Sequence, residues 1–186
     1  MFYSHTDQVS LINRVIPPLD HPLIRSVILA LAGSMLLMIS SKMKLNIGPI
    51  PFTMQTLVVL MIGISFGSKL ATWTVLLYLI EGAMGFAVFA DTPEKGIGLS
   101  YMLGPSGGYL FGFLIAAFLC GWLAERGWDR TFYKTIGIML IGNFAIYTFG
   151  ISWLSNFLEW RKAFELGFYP FLIPDLLKII FAASIM

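Results

Sequence analysis

Two opposite charges lie three residues apart near the end of the sequence, within IPDLLKIIF (173–181). At this spacing Asp175 and Lys178 share one face of a helix, where a carboxylate and an ammonium group could hold a polar ligand. Pro174 suits the first turn of a helix, and the positive end of the helix dipole would favour Asp175 as an anion. A structural ion pair at a membrane edge, with the lysine reaching toward the interface, fits the same spacing.

The stretch LGPSGGYLFGF (103–113) combines a helix break with small residues. Gly104 and Pro105 interrupt a helix, while Gly107 and Gly108 allow close approach to the backbone. In a membrane, irregular backbone is tolerated where it is buried in protein or lines a cavity. A row of small residues at every fourth position, typical of helix packing, begins in the same stretch: Gly108, Gly112, Ala116 and Cys120. The pattern fits a ligand loop, a packing surface, or both.

Uncharged polar residues also fall within apolar segments. Thr53, Gln55 and Thr56 open one segment, and Asn143 and Tyr147 lie four residues apart in another. Ligand contacts and hydrogen bonds between helices explain each of them equally well.

Two further features concern helix surfaces. Glu81 is a carboxyl group inside an apolar segment, where a charge costs about 2.5 to 3.5 kcal/mol at a helix centre. Ser26, Ala30 and Ser34 recur at every fourth position and permit close approach of another helix. That helix could belong to the same chain or to a partner.

The composition places these residues in a membrane. The 186-residue chain is 58% hydrophobic and only 12% charged, whereas a soluble domain is about a quarter charged. A net charge of +2 gives no support for nucleic-acid binding. The single cysteine excludes a disulfide within the chain, and the two histidines, His5 and His21, lie in the polar N-terminal arm. We therefore expect no metal site, and the absence of H-E-x-x-H, P-loop and G-x-S-x-G motifs predicts neither a catalytic residue nor a cofactor.

Apolar segments separated by Gly, Pro and charged residues predict an all-α polytopic membrane protein with a bundle of six transmembrane helices. Residues 1–22 form a polar arm that lacks the apolar core of a signal peptide, and residues 23–186 form a single transmembrane domain. The predicted helices cover residues 23–41, 53–66, 70–90, 107–124, 134–153 and 174–186. Residues 156–171 are predicted to be an amphipathic or looped connection.

Six spans would put both termini on one side of the membrane. Assigning the loops alternately gives six Lys and Arg residues on the side of the termini and five on the other. The positive-inside rule then favours cytoplasmic termini by a single residue. We expect a multi-pass protein of the cell membrane with both termini in the cytoplasm.

Several blocks of the sequence resemble the BioY family, the biotin-specific substrate-binding (S) components of energy-coupling factor (ECF) transporters. The matching patterns are P-x-P-F-T-x-Q-T at 49–56, G-P-[ST]-G-G-Y at 104–109 and P-D-x-x-K at 174–178. They occur in the family's order, and the resemblance extends over nearly the whole chain from residue 25.

The resemblance implies a six-helix bundle of the ECF S-component type that binds biotin in its outward-facing half. It implies assembly with a transmembrane coupling subunit and two ATPase subunits in the lipid bilayer. Asp175 and Lys178 would contact the biotin head group, and Tyr109 would pack on the bicyclic ring. Four further matching positions are expected at the ligand: Gly107, Gly108, Gln55 and Asn143.

Ala30-x-x-x-Ser34 is similar to the A-x-x-x-A surface that S components present to the coupling subunit, with serine replacing the second alanine. Three alternatives remain open at this point. The chain could be an S component for a different vitamin or precursor, a small membrane enzyme using Asp175, Lys178 or Glu81, or a membrane scaffold without a ligand.

Overall fold

A computed structural model describes residues 21–46 and 50–185 of the chain. These residues form helices joined by short loops, together with one small β-hairpin. The elements in chain order are α1 (Pro22–Lys42), β1 (Lys44–Asn46), β2 (Pro51–Thr53), α2 (Gln55–Phe66), α3 (Ser68–Ala83), α4 (Leu99–Met102), α5 (Gly107–Ala124), a 3₁₀ turn (Trp128–Arg130), α6 (Phe132–Leu154), α7 (Trp160–Gly167) and α8 (Tyr169–Ile185). The predicted polar arm lies outside the described residues except for its last two positions.

Within the described chain, four helical segments are long and apolar enough to cross a membrane. They are Leu23–Lys42, Gly107–Ala124, Phe132–Leu154 and Trp160–Ile185. The 12 residues of α2 and the 16 residues of α3 extend about 18 and 24 Å at 1.5 Å per residue, less than the roughly 30 Å of a bilayer core. The structure therefore supports a helical multi-pass protein, and the predicted count of six spanning helices is not confirmed.

Helix α5 lies at the centre of the bundle and contacts α2, α3 and α6. Its row of small residues forms a packing surface. A Cβ added at Gly112 would lie 2.9 Å from the Cα of Ile146 on α6, and one added at Gly63 of α2 would lie 2.7 Å from the Cβ of Cys120. Because real Cβ atoms do not approach so closely, the helices can pack at this distance only with glycine at these positions.

The structure is mostly helical, as predicted, but the connection after α1 is a short β-hairpin that the sequence analysis did not predict. Strands β1 and β2 pair antiparallel, with Lys44 opposite Thr53. The pairing gives hydrogen-bond partners to backbone groups that a helix broken by proline leaves unpaired.

The predicted third helix is too long, because α3 ends at Ala83. Gly85 adopts a φ of +97°, a conformation that favours glycine, and the chain leaves the helix. The following segment buries Phe89 between Tyr78 and Tyr101, with ring centroids 5.4 and 5.0 Å away. A loop that the sequence suggested was helical thus covers one end of the bundle.

The predicted last helix is too short at its start. Helix α8 begins at Tyr169 and contains Pro174 within it. Asp175 is therefore not in the first helical turn, and the argument that the helix dipole favours its charge is wrong. Its charge has to be compensated by side chains.

Candidate functional site

A cavity lies at the end of the bundle where the hairpin, α2, α5, α6, α8 and the loop after α3 meet. Its aromatic lining consists of Tyr101, Tyr109, Phe113, Tyr147 and Phe171. Its polar lining consists of Thr53, Gln55, Thr56, Ser106 and Asp175. A mostly apolar wall with a few converging polar groups is the usual construction of a small-molecule site.

The cavity is small, with a volume of about 50 Å³. Ala90 and Tyr101 form part of this wall and belong to the segment between α3 and α5.

Asp175 is the charged group on the cavity wall. Its side chain is buried, and three groups donate to its carboxylate. Tyr147 donates its hydroxyl to Oδ2 at 2.5 Å, Lys178 donates to Oδ1 at 2.9 Å, and Thr56 donates to Oδ1 at 3.4 Å. Charge-assisted hydrogen bonds of this kind stabilise a buried carboxylate, so the negative charge of Asp175 does not depend on the helix terminus.

Lys178 lies behind Asp175, away from the main cavity. Its ammonium donates to the backbone oxygen of Thr53 at 2.8 Å and lies 4.0 Å from the centre of the Phe52 ring. With Asp175 and Asn143 it borders a small second space beneath the cavity. The predicted pair therefore exists at the predicted spacing, but its two members have different positions: Asp175 faces the cavity and Lys178 joins α8 to β2.

Tyr109 lines the cavity. Its hydroxyl donates to the backbone oxygen of Gly167 at 2.9 Å, and its ring stands edge-on to Tyr147 at 6.5 Å. A Cβ at Gly150 would lie 2.4 Å from the Tyr109 ring. The orientation of Tyr109 is therefore held from both sides.

Gly107 and Gly108 lie outside the cavity, on a groove that they share with Trp153. A Cβ at Gly108 would lie 2.2 Å from the Cβ of Trp153, and the indole of Trp153 donates to the backbone oxygen of Gly104 at 2.9 Å. The packing of α5 against α6 explains Gly108, and the close approach of the Met102 backbone, whose oxygen would lie 1.9 Å from an added Cβ, explains Gly107.

Two predicted amide side chains each have an atom without a hydrogen-bond partner among the described residues. These atoms are Nε2 of Gln55 and Oδ1 of Asn143. Gln55 is only 3% exposed and lines the main cavity, whereas Asn143 borders the second space beneath it. An unsatisfied buried polar atom costs about 1 to 3 kcal/mol. Gln55 thus contributes a polar side chain to the wall of the main cavity, next to the hydroxyl of Tyr78.

Several cavity residues are not among the predicted ligand residues. Tyr147, Thr53 and Thr56 were noticeable as polar side chains in apolar segments, and Ser106 falls inside the G-P-S-G-G-Y pattern. Tyr101, Phe113 and Phe171 carry no such signal, because aromatic residues are common throughout a membrane protein.

An ion-pair cluster that the sequence did not reveal ties the loop after α3 to the hairpin. Asp91 is buried and pairs with Lys44 and Lys95, each at 2.7 Å. Burial alone would raise the pKa of Asp91, but the hydrogen bonds from Lys44 and Lys95 outweigh it and hold the pKa below its ordinary value of 3.8. The hydrogen bond with Asp91 raises the pKa of Lys44. The cluster fixes the loop after α3. Ala90, which precedes Asp91 in this loop, lines the cavity.

The predicted partner surface on α1 divides between two environments. Ala30 is partly exposed. Ser34 is buried and donates its hydroxyl to Oε2 of Glu81 on α3.

In the described ranges, no group of three or more His, Cys, Asp or Glu side chains could hold a metal ion.

The chain is similar to several known proteins. The chain is 38% identical over 151 residues to the biotin transporter BioY of Thermotoga maritima, covering 81% of this chain and 86% of that protein. It is 37% identical over 140 residues to the probable biotin transporter BioY of Pyrococcus horikoshii, covering 75% and 80%. Its fold is similar to the crystal structure of the S-component for biotin from an ECF-type ABC transporter, with a TM-score of 0.79 over 90% of this chain and 92% of that one, at 22% identity.

The model of the BioY family matches residues 8–186, which is almost the full length of the chain. Together with the relatives, this match confirms the resemblance seen in the sequence blocks. The chain belongs to the BioY family.

Proposed function

We propose that this chain is a biotin-binding membrane subunit of a vitamin uptake transporter. The observation that carries the proposal is the pairing of an acceptor and a donor in one aromatic cavity: the carboxylate of Asp175 and the unpartnered amide nitrogen of Gln55. The names of the relatives support biotin as the ligand. They also support transport rather than catalysis, since the relatives are named transporters.

The chemistry of biotin suits these groups. A carboxylate such as Asp175 accepts hydrogen bonds from the two ureido N–H groups, and an amide N–H such as that of Gln55 donates to the ureido oxygen. The rings of Tyr109 and Tyr147 offer apolar surface to the fused rings of the ligand. Lys178 contributes by fixing Asp175, whereas Asn143 borders only a space too small for a water molecule.

We infer that this subunit assembles with an ECF coupling subunit and two ATPase subunits, and the likeness of its fold to an S-component supports such an assembly. The sequence contains no P-loop, so energy from ATP has to come from those partners. We infer that α2 and α3 also lie within the bilayer, which makes six membrane helices with both termini in the cytoplasm. The cavity then lies on the outer side, where biotin arrives.

Binding of radiolabelled biotin to detergent-solubilised protein tests the proposal. We expect the wild type to bind, Asp175→Asn to lose at least about tenfold in affinity, and Thr148→Val to bind normally. Thr148 is a suitable control because it lies on the exposed side of α6, where its hydroxyl donates to the Phe144 backbone oxygen. Loss of a hydrogen bond to a charged group corresponds to about 1.5 to 3 kcal/mol.

The same preparation separates the alternatives. Absence of biotin binding by the wild type refutes the proposal, and a thermal shift with another vitamin would then identify a different ligand. Recovery of a chemically altered ligand after incubation would point to an enzyme.

A further inference from the structure

The loop after α3 contributes one short buried segment to the neighbourhood of the ligand cavity. All five residues of the segment 88–92 are buried, and among them only Ala90 lines the cavity. The methyl side chain of Ala90 cannot form a hydrogen bond. The position of this part of the cavity wall therefore depends on what holds the residues on either side of Ala90.

Lys42, the last residue of α1, holds both sides of Ala90. Its ammonium donates to the backbone oxygen of Phe89 at 2.7 Å, to that of Thr92 at 3.0 Å and to the Thr92 hydroxyl at 3.1 Å. An ammonium group has three donor hydrogens, so these three acceptors match its capacity. The cation of Lys42 therefore bridges the two carbonyl groups that bracket Ala90 and Asp91.

Side chains, rather than backbone pairing, attach this segment to the bundle. Within the described chain, the backbone–backbone hydrogen bonds of residues 88–92 join them only to other residues of the same loop. The hydroxyl of Tyr78 on α3 donates to the Val88 oxygen at 3.0 Å, and the hydroxyl of Ser41 on α1 lies 2.7 Å from the same oxygen. The last two residues of α1 thus contact the segment directly.

Helix α1 itself stays away from the ligand cavity, since none of its residues lines it. Lys42 can therefore affect a ligand only through the loop. Apolar packing also holds Phe89, whose ring lies where a Cβ at Gly82 would overlap it. That packing fixes the ring, whereas the bonds from Lys42 fix the backbone on both sides of Ala90.

We propose that Lys42 is a positioning residue for ligand binding, which keeps Ala90 at the cavity by binding the carbonyl groups of Phe89 and Thr92. The identity of the ligand as biotin rests on the proposed function. Loss of the ammonium group frees the segment to move away from the ligand, and it removes no group that lines the cavity. The ligand then dissociates faster.

Dissociation of radiolabelled biotin from the detergent-solubilised protein, chased with unlabelled biotin, tests this role. We expect Lys42→Met to release biotin at least about fivefold faster than the wild type. Lys42→Arg should stay within about twofold, because its guanidinium can donate to both carbonyl groups. Lys69→Met, an exposed lysine in the first turn of α3, is the matched control and should release biotin at the wild-type rate. An unchanged rate in Lys42→Met overturns the proposal, as does an equal increase in Lys42→Arg.

Gly142→Ala separates positioning from stability. A Cβ at Gly142 crowds Cys120 and Leu60, and none of these three residues lines the cavity. Gly142→Ala should lower the melting temperature and leave the dissociation rate of biotin unchanged, whereas Lys42→Met should raise that rate with a smaller loss in melting temperature. If Gly142→Ala accelerates release as much as Lys42→Met does, the effect reflects stability and the proposal fails.

Hydrogen exchange of the ligand-free protein gives a readout that does not depend on biotin. The amides of Thr92 and Lys95 donate to the backbone oxygens of Phe89 and Asp91 within the loop. In Lys42→Met they should exchange at least about tenfold faster, the effect of losing one hydrogen bond to a charged group, while the amides of α6 keep the wild-type rate. Unchanged exchange overturns the proposal. Absence of biotin binding by the wild type, with faster exchange in Lys42→Met, would instead refute the proposed function and not the hold of Lys42 on the cavity wall.

Discussion

Replacing Lys178 by methionine tests whether the lysine acts mainly by compensating Asp175. Lys178 and Asp175 form a 2.9 Å ion pair with side chains only 10% and 4% exposed. Breaking a buried pair by removing one partner costs about 3 to 5 kcal/mol, because the remaining charge is left unpaired. We expect about 3 kcal/mol for Lys178→Met, since Tyr147 and Thr56 still donate to Asp175 and polar contacts in membranes are often weaker than expected.

The reverse change should cost less. In Asp175→Asn, Lys178 still donates to the Thr53 oxygen and lies over the Phe52 ring, so we expect about 2 kcal/mol. The double variant removes both charges, and we expect it to cost about 3 kcal/mol, not the sum of about 5. The coupling energy of about 2 kcal/mol is the quantity that the double-mutant cycle measures.

The measurement is SDS-induced unfolding of the purified protein in mixed micelles, followed by tryptophan fluorescence. Lys162→Met, on the exposed side of α7, is the matched control and should change the free energy of unfolding by less than about 0.5 kcal/mol. Additive costs in the double variant would refute the reasoning, because they would mean that Lys178 and Asp175 act independently.

Three further predictions use the same purified protein. The lowered pKa of Asp91 means that its ion pairs contribute fully to stability above pH 3.8 and are lost as the pH falls through the lower folded value; the raised pKa of Lys44 predicts a corresponding loss only above pH 10.5. In Asp91→Asn the melting temperature should no longer fall at low pH. If it falls as in the wild type, the ion pairs of Asp91 are not the cause. Gly142→Ala places a Cβ 2.5 Å from both the Cys120 sulfur and a Leu60 methyl and should destabilise by about 1 to 3 kcal/mol. Gly137→Ala on the same helix, where a Cβ meets nothing within 4 Å, should be neutral or stabilising by up to about 1 kcal/mol; equal effects in the two would contradict the packing explanation. Gln55→Leu should leave the melting temperature unchanged or higher, because an unpartnered amide nitrogen is removed. It should also weaken biotin binding about five- to a hundredfold, and unchanged affinity would exclude Gln55 from the ligand site.

The helices were predicted well wherever an apolar run ended at a residue with a strong local preference. The prediction for 107–124 matches α5 (Gly107–Ala124) because G-P-S-G precedes it and a charged turn follows it. The prediction for 70–90 overran α3 because residues 84–90 are as apolar as the helix itself. They form a loop instead, in which only Val88, Phe89 and Ala90 are buried, and the burial of Phe89 depends on Tyr78 and Tyr101, which are distant in sequence from one another.

At the candidate site, too, local spacing predicted some features and helix packing decided others. The i, i+3 spacing correctly predicted that Asp175 and Lys178 would meet, because a helix brings such positions together whatever surrounds it. Spacing could not predict which of them faces the cavity, since that depends on where β2 and α6 lie around α8. Gly107 and Gly108 match a family pattern at the cavity's edge, yet their backbone packs against Trp153.

The sequence by itself determined the solvent, the helical character and the chemical types at the site. Composition decides these properties, because a chain with few charges can expose most of its surface only to lipid, and local spacing decides which side chains share a helical face. Only the tertiary structure decided that Asp175 and Gln55 border one cavity while Lys178 supports Asp175 from behind. It also decided that Lys42 binds the loop that carries Ala90. These relations join residues far apart in the sequence, as the bond between Lys178 and Thr53, 125 positions apart, does, and they depend on helix packing that no local pattern encodes.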